Sequence, residues 1–536
     1  MLSPAIFILI FFENFAGGFG YLFFIIKKWI NYSISSKILG GDTMIYVVIF
    51  AIYIGIMIAI GMYFSNKNEN MSDYILGGRS LNVWVASLSA QASDMSGWLL
   101  TGLPGLAYLS TAGAQEAIWT ALGLAIGTYL NWKIIAKRLR QYTEIAGNSL
   151  TMPDYFEQRF RDTSRTLRIL TALFIIVFFL VYTSSAFVTA AKLFQTVFGI
   201  SYLTGLLVGA VIVVIYTCLG GFKAVCWTDL FQGLLMFFAI IIIPIAAVKS
   251  IGSLDTTMDI VNQSHEGILN IIPNGNNISW FVVITGISWG FGYFGQPHIL
   301  ARFMAIRSSK EVAPARLIAM VWVIISLSFA ILVGIFGIAY LNPPLAEGTH
   351  ETVFMTMAMR LFHPVIAAIL LSAILAATMS TADSQLLVTA SSISEDIYKA
   401  FVKPSATDAE LLKLSRMTVV IITAIAVVIG LDPNSSIFSL VSYAWAGFGS
   451  AFGPTVLLSL YWRRMTRKGA IAGVITGGVV SIVWGLLGSL GGIFEIYAMV
   501  PGAITSILAI VIFSLLDNPP SKDMTDEFDS LKNCHI

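Results

Sequence analysis

Charge is the first thing this sequence lacks. Of 536 residues only 31 are Lys or Arg and 29 Asp or Glu, so 11% of the chain is charged, against roughly a quarter in an ordinary soluble protein. The formal net charge is +2 and no long basic run occurs, which leaves no electrostatic footprint for nucleic acid. Cysteine is scarce too: Cys218, Cys226 and Cys534 fit no zinc or disulfide spacing. The phosphate-cradling GxxxxGK[ST] and the zinc-protease HExxH are both missing, which disfavours ATP-driven pumping by this chain alone and zinc-protease chemistry. What is present is apolar. With 57% hydrophobic residues and a mean hydropathy of +0.83, the chain carries more apolar side chain than a globule of this length buries, and the excess must face lipid.

Crossing ~30 Å of hydrocarbon takes ~20 apolar residues at 1.5 Å each. About thirteen such spans follow Met44, near 44–66, 82–110, 114–136, 168–192, 201–222, 229–248, 279–304, 317–341, 361–401, 413–430, 435–461, 469–490 and 494–516. The connectors are short, and the longest gaps, 137–167 and 249–278, leave no room for an independent domain. The sequence thus predicts an all-α integral membrane protein: one membrane domain over 44–516, a cytoplasmic tail over 517–536, and an N-terminal extension over 1–43.

Lys and Arg collect in cytoplasmic loops. Alternating the loops places 25 of them on one side, from Lys67 through Arg302 to Lys532, and only Lys249 and Arg360 on the other. A miscounted helix in mid-chain would scramble that split, so it supports the span count, an outside start near Met44 and a cytoplasmic C-terminus together. Residues 1–43 fit less well, because Lys27 and Lys28 would fall outside. They read as an over-extended start rather than an extra helix.

Two spans have polar or glycine-rich centres. One contains Ser89 to Trp98, with Asp94 at its middle; the other contains Thr285 to Pro297. They are the second and seventh spans, five apart, as if each opened one half of a five-plus-five inverted repeat with a broken helix in each half. Interrupted helices at the midplane free backbone groups to face an ion and its cosubstrate. The alternative is that the glycines serve only close helix packing. An ionised Asp94 near the bilayer centre costs at least ~2.5–3.5 kcal/mol, so it calls for a cation, or for the amides of a half-helix that it caps. A hard monovalent cation such as Na⁺ would take oxygen ligands, which the carbonyls at a break supply. In the ninth span Ser380, Asp383 and Ser384 fall at i, i+3 and i+4, so three oxygen-bearing side chains share a face with Thr381 beside it.

Five ordered motifs carry a resemblance: Asp73 to Leu81, Ala92 to Trp98, Trp227-Thr228-Asp229, Trp289 to Ala301, and Met379-Ser380-Thr381. Together they resemble the sodium:solute symporter family over about Met44 to Leu516, and Gly292 to Phe303 looks like its proline branch. The resemblance implies a LeuT-like fold and a multi-pass symporter of the plasma membrane that imports L-proline with Na⁺. It implies a sodium site from the carbonyls of Ala92, Met95 and Ala377 and the hydroxyls of Ser380 and Thr381. Asp94 is similar to the family's sodium-essential acid, and Ser96 and Gly97 to neighbours that affect both affinities. Tyr182, Trp289, Tyr293 and Pro297 are the positions similar to those for proline. Asp229 resembles an acid on the inward ion path, with capping of a helix that starts there as the alternative. Asp383 stands where a neutral residue is expected, which leaves a second cation or a proton-linked role open.

The residues agree with a small apolar solute. Trp289 would lie ~13 Å along a helix from Trp280, too deep for the interfacial belt, and Tyr293 at i+4 would share its wall. His298 and His363 read as structural. The alternatives are a sodium- or proton-coupled symporter of another amino acid, pantothenate or a sugar, and, more distantly, a channel or membrane sensor; a channel normally shows a repeated filter or charged ring. Neither an enzymatic activity nor an obligate protein partner is inferred.

Overall fold

The computed structural model describes residues 41–65, 71–273 and 279–533, so nearly all of the expected N-terminal extension, together with Lys67 and Cys534, lies outside the described residues. Each of the thirteen expected spans falls on helix. In chain order these are α1 (Gly41–Ser65), α2 (Val83–Met95), α3 (Gly102–Leu109), α4 (Thr111–Leu130), α5 (Thr166–Phe198), α6 (Tyr202–Leu219), α7 (Phe222–Ile251), α8 (Trp280–Ser288) and α9 (Pro297–Ala305). They continue with α10 (Val312–Tyr340), α11 (Pro364–Ser391), α12 (Asp408–Ile429), α13 (Ile437–Tyr461), α14 (Arg467–Leu487) and α15 (Met499–Leu516), and the tail forms α16 (Lys522–Asn533). Among the described residues, eight helical segments, those of α1, α5, α7, α10, α11, α12, α14 and α15, are long and apolar enough to cross a membrane. The remaining expected crossings are the interrupted pairs α2–α3 and α8–α9, and helices α4, α6 and α13, so the count of thirteen stays a proposal.

The helix starts follow capping chemistry. Ser110, Ser201 and Ser436 each accept a hydrogen bond from the amide three residues on, and Thr407 with Glu410 forms a reciprocal capping box at α12. Each satisfies amides that have no partner within their own helix. Burial then sorts the helices. In the most apolar window of α11, 83% of residues are buried, against 28% in α1. Small residues such as Ala368, Ala373, Ala376 and Ala377 let other helices close around α11, while α1 exposes Val48, Ile52 and Ile56 as a stripe at i, i+4 and i+8 that suits lipid.

Two breaks position the site. Asn82 caps α2, and α2 stops at Ser96, whose φ of 50° and ψ of −171° leave the helical region. A side-chain-bearing residue in that region costs on the order of 1–3 kcal/mol. A single 3₁₀ turn, Gly97–Leu99, leads on to α3. In the second break, α8 tightens into 3₁₀ helix over Trp289–Gly295, Gln296 is extended, and α9 restarts with Pro297 at its first position. Proline suits that position because no intrahelical partner for its missing N–H is needed there, and it pushes the preceding residue out of helix. The glycines also pack: a Cβ on Gly290 would lie 2.1 Å from the Gly123 carbonyl oxygen, and one on Gly127 would lie 2.2 Å from that of Gly290. Breaking and close packing therefore coexist in this segment.

The tail helix α16 lies against the segment Lys137–Ile145, with Phe528 edge-on to Tyr142 at 6.4 Å and Arg463 paired to Asp529 at 2.9 Å. The tail and the basic 137–168 region therefore lie on one side of the protein.

Candidate functional site

The last turn of α2 carries two sites back to back. Ala92 and Asp94 are two residues apart, and the Ala92 carbonyl, which runs along the helix axis, and the Asp94 side chain, which leaves it radially, meet different partners. On one side the Ala92 carbonyl accepts from the Ser380 hydroxyl at 2.8 Å and lies 3.5 Å from Thr381 Oγ1. Ser380 Oγ is also 3.3 Å from the Ala377 carbonyl oxygen. Four oxygens from α2 and α11 thus converge in a fully buried spot. Among the described residues no group of three His, Cys, Asp or Glu side chains forms a metal site. The cluster consists of carbonyls and hydroxyls, which suit a hard monovalent cation without adding charge.

On the other side the Asp94 carboxylate accepts from the Tyr293 hydroxyl at 2.6 Å, and the Asp94 carbonyl accepts from the Tyr182 hydroxyl at 3.1 Å. These residues wall a small cavity together with Met95, Ser96, Trp98, Leu124, Trp289, Val441 and Trp445. Trp289 is 2% exposed; it stacks on Trp98 at 5.5 Å and on Tyr497 at 5.2 Å. Trp445 stands edge-on to Tyr293 at 5.1 Å and donates from Nε1 to the Trp289 carbonyl at 2.8 Å.

Of the residues expected at the ion, Ala92, Ala377, Ser380 and Thr381 gather, while Asp94 and Met95 line the neighbouring cavity. Asp94 does not cap the second half-helix: its carboxylate takes the Tyr293 hydroxyl, and the Trp98 amide bonds to Ser96 Oγ at 3.1 Å instead. Of the residues expected at the solute, Ser96, Tyr182, Trp289 and Tyr293 share the cavity. Gly97 does not line it. It marks where the break presses on α5, since a Cβ there would meet Thr189 Cγ2 at 2.5 Å. Pro297 lines a separate cavity with Met152, Met304 and Ser391. The extended Gln296 separates it from the rings.

A second polar cluster lies beside the ion site. Asp229 sits inside α7 rather than at its start, which removes the capping reading. It is fully buried, accepts from Ser89 Oγ at 2.7 Å, and pairs with Arg302 at 3.1 Å. Arg302 also donates to Ser384 Oγ at 2.5 Å, and Ser384 Oγ lies 3.3 Å from Asp383 Oδ1. Arg302 is therefore no loop cation, as charge counting took it to be; at 1% exposure it is the counter-charge between two buried acids. His298 is buried against Phe179 and Tyr182, and His363 begins α11, its Nδ1 accepting from the Val365 amide at 3.4 Å.

Behind the rings of the cavity lie residues the sequence did not single out. Glu351 pairs with Lys192 at 2.6 Å and accepts from the Phe438 amide at 3.1 Å. The Phe438 ring covers Trp98 at 6.0 Å and Trp289 at 5.4 Å. Depth would have found Trp445: eight residues into α13, it lies ~12 Å from the helix start, the reasoning that singled out Trp289.

Comparison with known proteins places this geometry. The model of the sodium:solute symporter family matches residues 74–477. A sodium/proline symporter of Salmonella typhimurium is 48% identical over 486 residues, covering 90% of this chain and 95% of its own length. The osmoregulated proline transporter OpuE of Bacillus subtilis is 45% identical over 475 residues, covering 88% and 94%. Among solved structures, a Na⁺-coupled sialic acid symporter in a substrate-bound outward-open state aligns with a TM-score of 0.74 at 21% identity, over 89% of this chain and 99% of that one. MhsT in complex with L-phenylalanine aligns with a TM-score of 0.52 at 15% identity, over 80% and 97%. At such identities these two likenesses speak to the fold alone, and they bear out the LeuT-like architecture.

Proposed function

The chain belongs to the sodium:solute symporter family, and on that premise we propose that it imports L-proline with Na⁺ across a plasma membrane by alternating access. Its relatives are transporters, not enzymes, and it is itself a multi-pass membrane protein. The observation that carries the reading is the last turn of α2, which presents Ala92 to an oxygen cluster and Asp94 to an aromatic cavity. Na⁺ takes the carbonyls of Ala92 and Ala377 and the hydroxyls of Ser380 and Thr381. It thereby ties α2 to α11 and fixes the turn that carries Asp94. Asp94 in turn holds Tyr293 and Tyr182, so the wall that receives the pyrrolidine ring is set once the ion is in place. Trp289 and Tyr293 supply apolar faces, and Ser96 keeps the chain unwound where the solute approaches. Met95 and Gly97 act by position. Asp229 and Asp383, with Arg302, form the polar path beside the ion site. Residues 44–516 form the transport domain, its first helix starting outside, and the tail is cytoplasmic, on the side of the basic loops.

Vesicles containing the purified protein and given an inward sodium gradient are expected to accumulate labelled L-proline above equilibrium, and collapse of the gradient should end accumulation while exchange continues. Proline uptake indifferent to the gradient, or accumulation of a sugar or pantothenate in its place, would overturn the reading.

A further inference from the structure

Trp98 belongs to the motif around the first break, yet no role in binding follows from that motif. In the structure it is 3% exposed, lines the cavity, and packs in one cluster with Trp289 at 5.5 Å and Phe438 at 6.0 Å, which meet each other at 5.4 Å. Its Nε1 has no hydrogen-bond partner among the described residues. The indole N–H is only a donor, and leaving such a group buried and unpaired is unfavourable. The other ring-borne donors on this wall are engaged within the protein: Tyr182 on the Asp94 carbonyl, Tyr293 on the Asp94 carboxylate, Trp445 on the Trp289 carbonyl. Gly102 lies against this edge of the ring, where a Cβ would sit 2.9 Å from Trp98 Cδ1 and 3.4 Å from Nε1, so the absence of a side chain there leaves room beside the N–H.

An unspent donor on a closed wall calls for an acceptor carried in by the solute. In a zwitterionic amino acid the ammonium only donates, and the carboxylate is the acceptor. Asp94 is the one acidic residue among those that line the cavity, so the ammonium has a partner on the same wall. We infer that the Trp98 Nε1–H donates a hydrogen bond to the solute's carboxylate and thereby selects amino acids over ring analogues that lack the carboxylate. This rests on the transport reading above and adds the group that recognises the carboxylate.

Binding of L-proline and of L-prolinol, whose hydroxymethyl group replaces the carboxylate, tests it in the full-length reconstituted protein with sodium present. Trp98→Phe keeps a flat ring and deletes the donor. Proline's advantage over prolinol should shrink by about 10- to 100-fold, as expected for a hydrogen bond to a charged acceptor. A merely structural ring would lower both affinities together and leave their ratio unchanged, and that result overturns the inference. If Trp98→Phe does not insert, incorporation of 3-benzothienylalanine at position 98 preserves the shape and exchanges N–H for sulfur, and the same ratio is read. Wild-type protein that binds neither compound would overturn the transport reading and this inference with it, whereas proline binding with an unchanged ratio overturns the inference alone.

Discussion

Asp94→Asn is expected to raise the sodium concentration for half-maximal proline uptake by about tenfold to a hundredfold while the protein still inserts. Asparagine keeps the size and an acceptor oxygen for Tyr293, so the change removes the charge and little else. A hydrogen bond to an ionised acceptor is roughly twice as strong as a neutral one, and the lost carboxylate charge also weakens the field at a cation in the neighbouring cluster. Both losses fall on the turn that Ala92 shares, so sodium activation and proline affinity should weaken together. Tyr293→Phe separates the two terms: the ring stays, the hydroxyl that grips Asp94 at 2.6 Å goes, and a smaller shift in both is expected. The sequence suggests a Tyr293 effect confined to proline; the hydroxyl–carboxylate bond is what extends it to sodium. Measured sodium activation unchanged in correctly inserted Asp94→Asn would remove Asp94 from the coupling.

Arg302→Gln is expected to be more damaging than Asp229→Asn, and the double variant to recover much of the loss. Arg302 and Asp229 are 1% and 0% exposed, and removing one member of a buried pair leaves an uncompensated charge that costs ~3–5 kcal/mol. Arg302→Gln strands Asp229 and weakens the support of Asp383 through Ser384, whereas Asp229→Asn leaves the guanidinium its bonds to Ser89, Ser384 and the His298 carbonyl. With both charges gone, no ion is stranded between α7 and α9, and only Asp383 on α11 is left without its counter-charge, so the recovery is incomplete. Yield of folded protein and uptake rate, measured for the two single variants and the double, give the coupling energy. Additive losses would mean that the pair is not a unit.

Much of the fold was legible because lipid imposes a length and a period. The span positions, the two breaks and the five-helix offset between them all follow from where apolar runs are interrupted by Gly, Ser and Asp. The oxygen cluster was legible in part, since Ser380 and Thr381 stand out on α11, but the back-to-back arrangement of Ala92 and Asp94 depends on what packs on each side of α2. Arg302 was misplaced for the same reason: counting cations along a chain cannot see that α7 supplies a buried acid 73 positions away. Trp98, Trp445 and the Lys192–Glu351 pair are long-range relations between aromatic or charged groups that look ordinary one at a time. Pro297 reads as a neighbour of the rings because Tyr293 lies only four residues away, yet the extended Gln296 carries it to another cavity.

The account's central claim is that ion and solute sites share the last turn of α2, and reciprocal binding tests it most directly. Proline affinity measured calorimetrically on the purified protein, with and without sodium at constant ionic strength, should differ by a factor in the ~5- to 150-fold range common for coupled sites. Sodium affinity measured with and without saturating proline must then differ by that same factor. Equal proline affinity in the two salts would contradict the shared turn.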